Sequence, residues 1–213
     1  MNGNNAIAVN PHLRQHTPDS VFTVAILGAE STGKTTLCQD LAEHFSRQGT
    51  SAWVPEYMRD YLQDKWNQQQ ATCTWQDLLP IAQGQIKLEN KLAQQVAQTV
   101  QTNHTNHTNH TNKGYLFCDT SLFELMVYAN WYYGDCPTEL KQAALAHHYD
   151  LILLTEVDTP WVADDLRDSP FERKAISARF EDELNDYHKG FRRIGGDRMS
   201  RVRQVAVWLQ ELS

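Results

Sequence analysis

The chain has 213 residues, 41% of them hydrophobic, with a formal net charge of −7 and a pI near 5.7. This length is enough for one α/β domain with a sizeable core. The acidic balance argues against a protein built to bind nucleic-acid backbones, and the lack of an eighteen-residue apolar run argues against a membrane span.

The N-terminal residues 1–20 do not combine a positively charged start with an apolar stretch, so they do not indicate a secretory signal. We expect them to form a disordered leader. The cysteines show no CxxC spacing and two of them lie in apolar runs, which is typical of reduced, packed thiols in a cytoplasmic protein. They are Cys38, Cys73, Cys118 and Cys136.

Residues 28–36, GAESTGKTT, fit the pattern G-x-x-x-x-G-K-[ST] of a phosphate-binding loop. The preceding run VFTVAIL is apolar and β-branched and predicts a buried strand. The following run repeats apolar residues every four positions and predicts an amphipathic helix that Gly49 ends. A strand, a glycine loop and a helix form the structural context that this motif requires.

In such a loop the backbone N–H groups and the helix N-terminus surround an anion. We therefore predict that ATP is bound by Gly28, Ala29, Glu30, Ser31, Thr32, Gly33, Lys34, Thr35 and Thr36. Lys34 would reach the β- and γ-phosphates, and the Thr35 hydroxyl would bind Mg²⁺.

The next segment predicts a short second strand that Pro55 ends, a helix, and a long helix entered or kinked near Pro80. Residues 102–112 then form a tandem N-H-T repeat. Its histidines could meet on a helix and hold a metal, but Asn and Thr are poor helix formers. Its N-x-T triplets also match glycosylation acceptors, which matter only in a secreted protein. We favour a flexible low-complexity surface loop.

After the repeat, predicted strands at 115–118, 150–156 and 191–196 alternate with helical patterns. This alternation predicts a P-loop-type α/β fold, with a parallel sheet, helices on both faces and a lid segment. Residues 21–213 would form a single domain. Ligands of such sheets bind where the strands end.

The residues that follow the predicted strands are therefore candidates for the site. Asp119 ends an apolar strand, where a carboxylate is costly unless it is paired or near a metal, so we predict that it helps to bind Mg²⁺. The alternative is a helix N-cap. Trp161 and Asp164 follow the fourth strand and are candidate substrate contacts.

Glu56 follows the second strand, and Arg59 shares its helix face. Glu56 could accept a proton from a hydroxyl that attacks the γ-phosphate, with Arg59 orienting it. An ordinary surface ion pair at a helix start is the alternative. Residues 159–175 are polar, broken by Pro160 and Pro170, and carry Arg167 and Arg173, which suits a lid that closes over phosphates. A solvated loop whose arginines pair with nearby carboxylates is the alternative here.

Four stretches together resemble the ribosylnicotinamide kinase domain of NadR-type proteins: GAESTGKTTL, VPEYMRDYL, FCDTS and YDLILLTEVDTPWVADDLRDSPFERK. The resemblance covers roughly residues 21–210. It implies a P-loop kinase that uses ATP and Mg²⁺ to phosphorylate the 5′-hydroxyl of nicotinamide riboside. Lys34 and Thr35 would bind the triphosphate and metal, and Arg167 and Arg173 would be lid arginines.

The same resemblance implies that aromatic residues contact the pyridine ring, with Trp53 and Tyr57 as candidates. The predicted acceptor site thus contains Trp53, Glu56, Tyr57, Arg59, Asp119, Trp161 and Asp164. The chain lacks the helix-turn-helix and HxGH motifs of longer NadR-type proteins, so we predict neither DNA binding nor dinucleotide synthesis. Two alternatives remain open, a kinase of another nucleoside and a regulatory P-loop ATPase without an acceptor.

Overall fold

Five short strands form one sheet in the computed structural model, which describes residues 9–47, 50–105, 113–161 and 171–212. The strands are β1 (Val21–Leu27), β2 (Ser51–Val54), β3 (Gly114–Asp119), β4 (Leu151–Thr155) and β5 (Arg192–Ile194). Their order across the sheet is β2-β3-β1-β4-β5, and every pairing is parallel. The central strand β1 is buried along its whole length, as expected when helices cover both faces.

Seven α-helices connect and cover these strands in the described part of the chain. They are α1 (Lys34–Ser46), α2 (Tyr57–Gln69), α3 (Leu78–Thr105), α4 (Leu122–Tyr133), α5 (Thr138–Ala146), α6 (Arg173–Asp186) and α7 (Arg198–Leu212). Short 3₁₀ turns lie at Pro11–Leu13 and Trp75–Asp77. The predicted fold class, a parallel sheet between helices, is confirmed.

The alternation of side chains along β1 separates two hydrophobic clusters. Ala25 and Leu27 pack with residues of α3 to α6, whereas Val24 and Ile26 pack with residues of α1 and α7. The predicted apolar stripe of α1 lies in the second cluster and is almost fully buried. All four cysteines are free thiols, and three of them are buried.

The long helix α3 begins two residues before Pro80, which therefore lies in its first turn. A proline is tolerated there because its missing N–H would have no partner within the helix. The helix continues through Thr105, so our prediction of a loop over 102–112 is wrong for residues 102–105. The Thr102 hydroxyl donates to the Gln98 carbonyl oxygen one turn earlier. Residues 106–112 lie outside the described residues.

The segment 9–20 is packed against the domain, so the predicted disordered leader is wrong for these residues. The side chain of Leu13 is fully buried, and its carbonyl oxygen lies 2.7 Å from His147 Nε2. The His16 N–H donates to Asn90 Oδ1 of α3 at 2.7 Å. Residues 1–8 lie outside the described residues, as do 162–170 of the predicted lid. No helix in the described ranges is long and apolar enough to cross a bilayer.

Candidate nucleotide and acceptor site

The phosphate loop joins β1 to α1 through three residues with positive φ. Gly28, Ser31 and Gly33 have φ of 144°, 54° and 84°. A Cβ at Gly28 would lie 2.2 Å from Thr155 Oγ1, so only glycine fits there. Gly33 is the N-cap of α1 and has no side chain to cap it. The N–H groups of the first helical turn therefore receive no side-chain cap from Gly33 and could donate to an anion placed in the loop.

Lys34 is held beneath the loop by its own backbone and by one carboxylate. Its Nζ donates to the carbonyl oxygens of Gly28 at 2.8 Å and Ala29 at 3.1 Å. It also lies 3.3 Å from Glu124 Oε1. The second carboxylate oxygen of Glu124 accepts the Gly28 N–H at 3.1 Å. Glu124 thus contacts both the beginning of the loop and its lysine.

The charges around Lys34 shift one another's pKa values. Burial opposes the charge on Lys34, but the carboxylates of Glu124, Glu56 and Asp119 outweigh it and raise the pKa of the ammonium. Burial raises the pKa of Glu124, against the opposing effect of Lys34. Because three carboxylates surround the single ammonium of Lys34, the site would be stabilised by a further bound cation or by protonation of a carboxylate.

Thr35 and Asp119, the two predicted metal-binding residues, lie together. The Thr35 hydroxyl donates to Asp119 Oδ2 at 2.5 Å. Asp119 Oδ1 is buried and has no hydrogen-bond partner among the residues that the structure describes. Burial, partly opposed by Lys34 and Thr35, raises the pKa of Asp119 to about 6. A hydroxyl beside a buried carboxylate with an unused oxygen fits Mg²⁺, which takes oxygen ligands and keeps several waters.

Glu56 and Arg59 stand at the start of α2, directly after β2. Glu56 is the N-cap residue of the helix, and its Oε2 lies 3.6 Å from Arg59 Nε. The Glu56 side chain is 17% exposed, so it keeps limited contact with solvent. Both residues face the same cavity as the phosphate loop.

This cavity has a volume of about 800 Å³ and two kinds of lining. One part is polar and consists of phosphate-loop residues together with Glu56, Arg59, Glu124 and Thr159. The other part is mainly apolar and aromatic and comes from α2, the segment after it, the first residue of α3, and α4. Its residues are Met58, Leu62, Trp66, Ala71, Thr72, Cys73, Leu78, Leu125, Tyr128, Ala129, Tyr132 and Tyr133.

Several predicted acceptor residues do not line this cavity. Trp53 packs against the cluster that faces α1. The Tyr57 ring lies over Gly84 of α3, and Trp161 lies under the Arg173 guanidinium, 5.7 Å from its carbon to the ring centroid. Asp164 and Arg167 lie outside the described residues. The aromatic lining comes instead from α4 and the outer part of α2.

Arg173 was predicted to act from a lid, but it lies at the first position of α6 and contacts the phosphate loop from outside. Its guanidinium donates to the carbonyl oxygens of Glu30 at 3.1 Å, Ser31 at 2.8 Å and Thr159 at 3.1 Å. Arg173 therefore braces the loop in this structure.

Arg201 of α7 braces the other side of the loop and was missed by the sequence analysis. It is almost fully buried and donates to the Thr32 carbonyl oxygen at 2.6 Å and to Gly196 at 3.0 Å. Its guanidinium also pairs with Asp158. The sequence feature that could have indicated a buried arginine is its spacing: Arg201 lies four residues before Val205, on the predicted buried face of α7.

Glu124 was missed in the same way. It lies among apolar residues in α4, and a single carboxylate in an otherwise apolar helix is costly to bury unless it has partners. Its spacing from Ser121 also fits a capping box, which is an ordinary structural explanation. Ser121 does cap the helix, by accepting the Phe123 N–H, but the Glu124 carboxylate contacts Lys34 and Gly28 instead.

The parallel sheet, the glycine loop and the buried lysine define a P-loop nucleotide-binding domain. A family model described as an AAA domain matches residues 23–201. The chain belongs to this family.

Among curated relatives, the chain is similar to the trifunctional NAD biosynthesis/regulator protein NadR of two bacteria. It is 35% identical to that of Salmonella typhimurium over 164 residues, which are 75% of this chain and 34% of the relative. It is 32% identical to that of Escherichia coli over 182 residues, 83% of this chain and 39% of the relative. The chain thus spans somewhat more than a third of the length of these relatives. The predicted resemblance to NadR-type proteins is confirmed.

Solved structures of kinases share the fold. NadR in complex with NR aligns with a TM-score of 0.65 at 19% identity, over 91% of this chain and 52% of that one. Thymidylate kinase from Ehrlichia chaffeensis aligns with a TM-score of 0.58 at 14% identity, over 91% of this chain and all of that one. At these identities the likeness shows the fold alone.

Proposed function

We propose that the protein is an ATP-dependent kinase of a small nucleoside, with nicotinamide riboside as the first candidate acceptor. One observation carries this proposal. A single cavity is lined at once by the phosphate loop, by the carboxylate of Glu56 and by an apolar, aromatic surface. The phosphate loop would bind the phosphate donor, and the aromatic surface suits a planar base. The Glu56 carboxylate lies in the same cavity as both.

The reaction forms a bond between the acceptor hydroxyl oxygen and the γ-phosphorus of ATP. It breaks the bond between that phosphorus and the oxygen that bridges to the β-phosphate, so ADP leaves. Glu56 accepts the hydroxyl proton, and Arg59 holds the carboxylate in position. Lys34 offsets charge on the phosphates. Thr35 and Asp119 would hold Mg²⁺, which supplies further charge stabilisation when it is bound.

The choice of acceptor follows from homology and from the aromatic lining. The relatives at 32–35% identity are NAD biosynthesis proteins, and one solved NadR structure holds NR. Tyr128, Tyr132 and Trp66 line the cavity, and an aromatic contact with a flat heterocycle adds about 0.5–1.5 kcal/mol per pair. Another nucleoside is the second candidate, since the aromatic lining suits any flat base.

The test is ADP release with ATP and Mg²⁺, with and without nicotinamide riboside, beside a panel of ordinary nucleosides. Strong stimulation by nicotinamide riboside, with the mononucleotide as product, supports the proposal. Stimulation by another nucleoside keeps the mechanism and changes the acceptor. ADP release that no acceptor stimulates contradicts the kinase proposal and favours a regulatory ATPase.

A pair of variants tests the role of Glu56. Glu56→Gln keeps the shape of the side chain and removes the proton acceptor, so we expect unchanged ATP binding and turnover lowered roughly 100-fold or more. Asp60→Asn, an exposed change in the first turn of the same helix, is the control. Full turnover by Glu56→Gln would contradict the assigned role.

A further inference from the structure

The peptide bond that joins Glu56 to α2 is held by a residue of another helix. The Tyr57 N–H, the nitrogen of that peptide, donates to Gln85 Oε1 of α3 at 2.9 Å. No side chain of α2 caps its own N-terminus in the described contacts. Because the Tyr57 N–H lies in the same rigid plane as the Glu56 carbonyl, Gln85 fixes the backbone from which the Glu56 side chain projects.

A buried carboxylate fixes the orientation of Gln85 in turn. Gln85 Nε2 lies 3.4 Å from Glu89 Oε1, and the Tyr149 hydroxyl donates to Glu89 Oε2 at 2.9 Å. Glu89 is an acceptor when ionised, so the amide nitrogen of Gln85 faces it and the amide oxygen faces Tyr57. Gln85 and Glu89 are 4% and 3% exposed, so water does not compete for these contacts.

The helices α2 and α3 are also in direct contact at this point. A Cβ at Gly84 would lie 1.9 Å from the Tyr57 ring, so glycine lets the first turn of α2 lie against α3. The position of α2 relative to the phosphate loop thus depends on α3 at two neighbouring residues, Gly84 and Gln85.

An apolar residue would serve a purely structural core better than Glu89. Its neighbours on the same side of α3, Ile86 and Ala93, are apolar and fully buried, and a buried carboxylate costs free energy unless its partners compensate. Glu89 contacts Gln85, and Gln85 in turn accepts the N–H of Tyr57, the residue after Glu56.

We propose that Gln85, oriented by Glu89 and Tyr149, is a positioning residue that sets the Glu56 carboxylate for proton transfer. This inference rests on the proposed kinase function. Neither Gln85 nor Glu89 is among the described residues that line the acceptor cavity, so Gln85 would act on Glu56 through the backbone and not by touching the acceptor.

The first test is Gln85→Leu, which keeps the bulk and removes the acceptor. We expect kcat to fall roughly 10- to 100-fold, as for a small misplacement of a catalytic group, with the Kd for ATP unchanged. Gln83→Leu, exposed on the same helix, is the matched control and should leave both unchanged. Unchanged kcat in Gln85→Leu would overturn the proposal.

A double variant separates positioning from general loss of structure. If Gln85 acts through Glu56, adding Gln85→Leu to Glu56→Gln should cost little further turnover. A full additional loss, or weaker ATP binding, would show a structural role and overturn the proposal. Tyr149→Phe keeps the ring in the core, so it is the second variant should Gln85→Leu fail to fold. A smaller drop in kcat at constant ATP affinity is expected from it.

Hydrogen exchange at the Tyr57 amide tests the cap without relying on activity. It should exchange at least tenfold faster in Gln85→Leu than in the wild type or Gln83→Leu. Equal exchange would overturn the inference whatever the activity. Wild-type protein that no acceptor stimulates would instead contradict the proposed function, so the two failures are distinguishable.

Discussion

Lys34 and Glu124 form the closest charge pair of the phosphate loop. The ammonium of Lys34 is compensated by the buried carboxylate of Glu124, 3.3 Å away. A triphosphate placed in the loop brings its own negative charge to the same lysine. Glu124 and the nucleotide therefore compete for one cation, and the stability of the free protein and its affinity for nucleotide are linked.

The Glu124→Gln substitution tests this competition. It removes the partner of a buried charge, which costs about 3 kcal/mol of stability in a free protein. A bound nucleotide restores a partner, so we expect ATP to raise the Tm of this variant more than that of the wild type. Thermal unfolding with and without ATP measures the difference. Glu139→Gln, exposed in the first turn of α5, should behave as the wild type. If ATP raised the Tm of Glu124→Gln and of the wild type equally, the proposed competition would be contradicted.

Glu89 makes the stability depend on pH. Burial, partly offset by the hydrogen bonds from Tyr149 and Gln85, raises its pKa from 4.5 to about 7. The folded protein thus binds a proton that the unfolded chain releases. The resulting stabilisation is fully present below about pH 4.5 and is lost as the pH rises through 7.

Urea unfolding at pH 5 and pH 8 measures this effect. We expect the free energy of unfolding to be lower at pH 8, by about 2–3 kcal/mol from this residue. Glu89→Gln does not titrate and should lose this part of the difference. If the variant shows the same pH dependence as the wild type, the pKa of Glu89 is not the cause.

The sequence identified the residues whose positions follow from local rules. Lys34 and Thr35 belong to a motif, and Glu56 and Asp119 come directly after strands. Glu124 could not be assigned in this way, since its spacing from Ser121 also fits an ordinary helix cap. Its role depends on which face of α4 meets the phosphate loop, and that is a property of tertiary packing.

At the scale of elements, the phosphate loop is held between two helices that come late in the chain. Arg173 at the start of α6 and Arg201 in α7 both donate to carbonyl oxygens of the loop. Charged hydrogen bonds of this kind are worth about 1.5–3 kcal/mol each. The loop conformation is therefore partly set from outside.

Arg201→Lys should weaken nucleotide binding. Lysine keeps the charge but cannot reach the Thr32 and Gly196 carbonyls and Asp158 together. We expect the Kd for ATP to rise roughly tenfold, in line with the loss of one charged hydrogen bond. Titration calorimetry measures this, with Arg203→Lys, exposed on the same helix, as the control. An unchanged Kd would show that the loop keeps its shape without this brace.

The elements themselves were largely predictable, because strands and helices alternate with clear apolar patterns and end at glycine or proline. Gly134, for example, ends α4 in the left-handed conformation, with φ of 72°. The orientation of α2 was not predictable. Tyr57 was expected in the acceptor site, but the contact at Gly84 turns it towards α3, and Met58 and Leu62 line the cavity instead.

At the scale of the whole molecule, the segment before β1 ties α3 to the α5–β4 connection. Leu13 is fully buried between them, and Gln15 accepts the His148 N–H at 2.8 Å. This packing could not be predicted from local patterns, because Leu13 stands among polar residues and shows no periodicity.

We expect Leu13→Ala to lower the free energy of unfolding by about 2–5 kcal/mol, the usual cost of a cavity in a core. Leu212→Ala, at a leucine that is 44% exposed, should cost less than about 1 kcal/mol. Chemical denaturation of both variants provides the measurement. Similar small losses would show that the segment is not part of the core.

The strand order also bears on when the site forms during synthesis. Strand β1 is made early but lies between β3 and β4, and the loop that follows it is braced by Arg201. The first partner of β1 along the chain, β3, ends about 90 residues after Leu27, and β4 follows later still. A nascent chain therefore carries an unpaired central strand until β3 has emerged, and such long-range pairing is slow. Nucleotide binding would then report that the last helix has docked, and nucleotide present during translation would favour the completed fold over exposed intermediates.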